Sequence, residues 1–122
     1  MGLDSMLYTV DDAGEFVEIA YWRKANFAHK WFVDNVQNGI DECQVSLVTT
    51  EQLEELCNVC RRVLEDNSLA SELLPTASGF FFGTTEYSEW YYAHVQHVLE
   101  DVSGVLNSQE YKNKEIFYRA SW

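Results

Sequence analysis

The sequence predicts an α+β fold, with three main helices packed on a small, mainly antiparallel sheet formed by an N-terminal hairpin and the C-terminal strand. Three observations carry this prediction. Two β-leaning runs near the start, "SMLYTV" and "EFVEIAY", are separated by the turn-forming cluster "DDAG". Three later segments repeat apolar residues at the helical period. The chain then closes on "EIFYRASW", rich in β-branched and aromatic residues. At 122 residues and 47% hydrophobic content there is material for one core but not for two, so 1–122 is expected as a single compact domain.

The opening hairpin should be joined by the closing strand, because two strands alone are marginally stable. "YWRKANFAHKWFVDNVQNG" is predicted as a helix ending at Asn38-Gly39, a C-capping signature. Its wide apolar face holds Tyr21, Trp22, Ala25, Ala28, His29, Phe32, Val33 and Val36, while Phe27 and Trp31 lie off that face. "CQVSLV" is a short strand candidate. Thr49 with Gln52 three residues on is a capping box opening "EQLEELCNVCRRVLED", whose stripe is Leu53, Leu56, Cys57, Cys60, Val63 and Leu64. "SLASELL" reads as a short helix stopped by Pro75. Thr84 or Thr85 is expected to cap a last long helix, with Glu86 and Glu89 near the positive end of its dipole. Tyr87, Tyr91, His94, Val98, Val102 and Val105 form its inward stripe.

Charge is the strongest compositional signal: 20 acidic residues against 8 basic, formally −12. No Lys or Arg occurs between Arg62 and Lys112, a stretch that holds Glu65, Asp66, Glu72, Glu86, Glu89, Glu100, Asp101 and Glu110. Such a surface repels nucleic-acid phosphates and anionic membranes and attracts basic protein surfaces. It also keeps an aromatic-rich chain in solution, which is the plainer reading. No apolar run reaches the ~18 residues of a membrane span, and "MGLDSMLYTV" lacks the basic and apolar regions of a secretory signal. Met6 stands where a myristoylation motif needs Ser or Thr. A cytoplasmic protein is expected.

Candidate chemistry is sparse. Cys57-x-x-Cys60 falls well inside a predicted helix, on its apolar stripe, whereas a redox pair opens a helix. Only Cys43 and three histidines could complete a zinc site, and no second C-x-x-C or H-x-x-x-H exists. Buried core thiols are therefore expected, with no metal and no cofactor. His29 and His94 each project from an apolar stripe and read as core histidines. Were they to meet beside Asp4 or Asp34, an acid–base or metal pair would result. No G-x-S-x-G, G-x-G-x-x-G or P-loop occurs.

Two segments stand out. In "YWRKANFAHKW", Arg23, Lys24 and Lys30 alternate with Trp22, Phe27 and Trp31, and Asn26 could direct a hydrogen bond. Trp22, Arg23, Lys24, Asn26 and His29, with Phe81, could therefore line an anion or nucleotide pocket. Alternatively, Arg23 and Lys30 sit on a solvated face. In "PTASGFFFG", two glycines flank three phenylalanines; Phe80 and Phe82 are expected to clamp the last helix from a packed loop.

"MGLD", "YWRKANFAHKWFV", "LLPTASGFFFG" and "FYRASW" together resemble a family of small acidic proteins of bacteriophage and prophage genomes that has no assigned function. Ser5 and Met6 stand where that pattern often has Met-Tyr. The resemblance implies a phage protein made in the bacterial host cytoplasm and brings no catalytic residues with it. Many small acidic phage proteins block host nucleases, CRISPR effectors or other defence machinery by presenting a DNA-like surface, and the link to this chain is an analogy of size, charge and origin. The expectation is thus a non-enzymatic anti-defence protein, a candidate DNA mimic and anti-CRISPR. It would bind a basic host or phage partner through Glu65, Asp66, Glu72, Glu86, Glu89, Glu100 and Asp101, without binding nucleic acid or membrane. The alternative is a ligand-binding or catalytic domain built on the pocket.

Overall fold

A computed structural model describes residues 2–79 and 82–122. Four strands form one antiparallel sheet and the helices gather on one side of it, so the fold is α+β as predicted. β1 (Asp4–Val10) and β2 (Phe16–Arg23) make the hairpin. Its turn is held by Asp11, whose carboxylate accepts from the amides of Ala13 and Glu15. β4 (Ile116–Ser121) pairs with the free edge of β1, from Asp4↔Ser121 to Thr9↔Ile116. β3 (Ser46–Val48), the short remnant of "CQVSLV", adds to the far edge of β4 and gives the order β2-β1-β4-β3. Ser5, Leu7 and Thr9 of β1 alternate inward with Ile116, Tyr118 and Ala120 of β4.

α1 (Asn26–Asn35) starts later than predicted. Tyr21, Trp22 and Arg23 belong to β2, because Met6, Ser5 and Asp4 offer them ladder partners. Lys24 then turns the chain at φ +55° and donates its amide to Leu3. Phe27 and Trp31, expected off the buried face, are buried. The reason is that α1 packs on two sides. Phe32 stacks on Tyr118 of β4 at 3.9 Å, while Phe27 meets Tyr91 and His94 of α4 (Glu89–Asn107) edge-on.

α2 (Thr50–Glu65) opens with the predicted Thr49–Gln52 capping box and buries Leu53, Leu56, Cys57, Cys60 and Val63 against α4. A 3₁₀ turn (Asn67–Leu69) and the single-turn α3 (Ala70–Leu73) follow, before Pro75. α4 begins at Glu89 after Ser88, so neither Thr84 nor Thr85 caps it. Both threonines are engaged elsewhere: the Thr84 hydroxyl accepts from the Glu86 amide, and the Thr85 carbonyl accepts from the Thr76 hydroxyl. Tyr87 consequently lies before the helix and is exposed, while Val95 takes a place among its buried residues.

Candidate functional site

Of the residues nominated for an anion pocket, Trp22 and Arg23 line one groove, while Lys24, Asn26 and His29 are placed elsewhere. Trp22 is 1% exposed, and its indole N–H donates to the carboxylate of Asp101 at 2.9 Å. Arg23, exposed at the end of β2, lines an open groove of about 360 Å³ with Tyr21, Trp22, Trp90, His94 and His97. Lys24 packs beside Gly83. Asn26 is buried, and its side-chain amide is fully used on the following loop. It donates to the carbonyls of Phe82 (3.0 Å) and Thr84 (2.9 Å) and accepts from the Ala77 amide (3.2 Å). Asn26 is thus the fastener of the loop rather than a ligand donor. Phe80 and Phe81, expected as clamp and pocket wall, lie outside the described residues. Phe82 is buried, with its ring edge-on to His29.

His29 does not use Asp4 or Asp34. Asp4 accepts from the Tyr21 hydroxyl, and Asp34 pairs with Lys30 at 2.7 Å. Instead a polar chain runs through the core. Asp41 meets His29 Nε2 at 2.8 Å, Nδ1 meets the Tyr118 hydroxyl at 2.7 Å, and that hydroxyl reaches Ser5 Oγ at 3.1 Å. Asp41 also accepts from the Trp122 indole. Burial pushes the Tyr118 hydroxyl far above its ordinary pKa, which keeps it neutral. His29 is 2% exposed with both nitrogens engaged, so this chain ties α1, β1, β4 and the Asp41 segment together. A cleft of about 440 Å³ opens above it, walled by Lys30, Asp34, Thr76, Ser78 and Phe82. Asp41 was not foreseen as the partner of His29; it lies beyond the α1 cap, and no local pattern ties it to the helix.

Cys57 and Cys60 are buried, as their stripe positions predict. Burial raises both thiols, Cys60 to about 12. No group of three His, Cys, Asp or Glu among the described residues could hold a metal ion. His94 lines the groove with Arg23, and its buried Nδ1 has no hydrogen-bond partner among the described residues. Desolvation, and then the neighbouring His97, lower its pKa below the usual 6.5.

The nominated carboxylates are arranged differently. Glu65, Asp66, Glu72, Glu86, Glu89 and Glu100 are exposed, while Asp101 is half-buried between Trp22 and His97. Among the described residues, the one Lys or Arg ion pair with a carboxylate is Lys30–Asp34, on α1. The six exposed groups therefore project an uncompensated negative field. No helix among the described residues is long and apolar enough to cross a membrane. No protein-family profile matches the chain, and neither a curated protein nor a solved structure matches it.

Proposed function

We propose that the protein is a non-enzymatic binding protein that engages a basic, nucleic-acid-handling partner through its exposed carboxylates. The observation that carries this reading is the unpaired state of Glu65, Asp66, Glu72, Glu86, Glu89 and Glu100. A carboxylate neutralised within its own chain contributes little to a partner's potential, whereas unpaired exposed groups sum into a field that steers and orients a cationic surface. Asp101 is held by Trp22 and contributes to the fold instead. The resemblance to phage proteins adds a class of partner, a host defence nuclease or CRISPR effector, and DNA mimicry as the mode. An anion pocket is less supported, because Trp22 and Asn26 spend their polar groups within the chain.

The test is affinity capture from host lysate at low and physiological ionic strength, followed by competition with duplex DNA. The wild type should retain a basic nucleic-acid-handling protein that DNA displaces. Binding should weaken steeply as the screening length falls toward ~8 Å. Reversing Glu86 and Glu89 to Lys should slow association, while Arg23→Ala should change it little. Capture that is insensitive to salt and survives the double reversal defeats the proposal.

A further inference from the structure

The helices cover one face of the sheet, and the opposite face carries a contiguous apolar surface. In register across it stand Tyr8 of β1, Phe117 of β4 and Leu47 of β3. On β2 the register partner of Tyr8 is Glu18, while Phe16, partnered with Val10, leans its ring against the row, edge-on to Tyr8 at 6.0 Å and to Phe117 at 5.4 Å. Its outer members are the most open: Phe16 is 57% exposed and Leu47 51%. The next row sets Tyr21, itself 43% exposed, beside Met6 and Arg119. An open aromatic sheet face of this kind marks an interaction surface.

We infer that this face is where a second copy of the chain docks, sheet on sheet. Two features select a copy over another partner. The first is charge. The protein is −12 overall, yet on this face Arg23 and Arg119 balance Asp4 and Glu18. A basic partner is drawn to the carboxylate-rich helices instead, and an acidic body such as a second copy is repelled least at the neutral sheet. The second is symmetry. A two-fold axis parallel to the strands reverses the order β2-β1-β4-β3 over itself, laying β2 on β3 and β1 on β4. Tyr8 of each copy then faces Phe117 of the other with the Phe16 ring beside them, and Leu47 lies over the rung of Glu18 at the rim. The same rotation places Arg119 over Met6, one inward step from Asp4. The aromatic centre of the row is therefore complementary to itself, as an isologous dimer requires, in the aligned geometry of packed sheets. Three strands of six to eight residues and the three-residue β3 give a footprint of at most roughly 20 Å on a side. That is below the standard specific interface, so association in the micromolar range or weaker is expected.

Sedimentation velocity from low micromolar to near-millimolar protein tests this. The expected result is a reversible monomer–dimer equilibrium that strengthens with added salt, because screening relieves the repulsion between two acidic bodies. The pair Phe16→Lys and Leu47→Lys should abolish the dimer while leaving circular dichroism unchanged. A monomer throughout the range, or a dimer that persists in the folded double variant, overturns the inference. Should the double variant unfold, amide shifts of the wild type on dilution decide: changes at Met6, Leu47 and Arg119 support the sheet face, and changes elsewhere or none refute it.

Discussion

Burial decides reactivity for single residues. Cys57 and Cys60 are 2% and 0% exposed, and burial holds both thiols protonated at neutral pH. Both should react slowly with a thiol reagent in the native protein and quickly in denaturant; rapid native labelling of either would contradict their place in the core. His94 is expected to make stability depend on pH. Its folded pKa is lowered, so as pH falls through about 6.5 the unfolded chain binds a proton that the folded chain refuses. Stability is lost on acidification, down to the folded pKa. Because Nδ1 lacks a partner, His94→Phe should be tolerated. Denaturant melts of both proteins between about pH 7 and about pH 5 should show the wild type losing ground to the variant as pH falls. The cysteine stripe was legible in the sequence because helical spacing alone places those thiols inward. The His29–Asp41 bond was not, since it depends on how the chain returns after α1.

The loop between α3 and α4 shows what a single element depends on. Phe82 is 7% exposed, and a Cβ added at Gly79 would come within 2.9 Å of its ring. Phe82→Ala is expected to cost about 3–5 kcal/mol, the range for a buried aromatic. Gly79→Ala should also destabilise, since the buried ring cannot swing aside freely. In the Phe82→Ala background that second penalty should largely vanish, and a double-mutant cycle by chemical denaturation measures the coupling. Additive penalties would mean that the ring does not need the glycine. Local signals read α2 correctly, because its capping box lies entirely within Thr49–Gln52. They misread the start of α1, where Tyr21 and Trp22 satisfy a helical period but pair with β1. They misread the start of α4 too, where the two threonines bond to the loop. Ladder pairing and loop contacts are long-range, and neither is written in a local pattern.

For the whole molecule, the predicted class held because the alternation in β1 and the β-branched end of the chain required each other. The sheet could not form on the hairpin alone. The exposed state of the six carboxylates was readable only as composition; that they lack Lys and Arg partners among the described residues needed the folded arrangement. Removing residues 114–122 deletes β4 from between β1 and β3. The fragment 1–113 should lose cooperative unfolding, and a peptide spanning 114–122 should restore it in proportion to concentration. A cooperative melt from the fragment alone would show that β4 is dispensable.

The position of β4 also bears on how the chain reaches this structure during synthesis. Asp4 lies opposite Ser121, so β1 leaves the ribosome more than a hundred residues before the strand that covers its edge. Until β4 arrives, β1 presents a bare edge and β3 has nothing to pair with. Closing so long a loop is slow, and an unpaired edge invites pairing with a neighbouring chain. A nascent copy is thus exposed to its neighbours on the same message until β4 is made, and that six-residue strand is the step that ends the exposure.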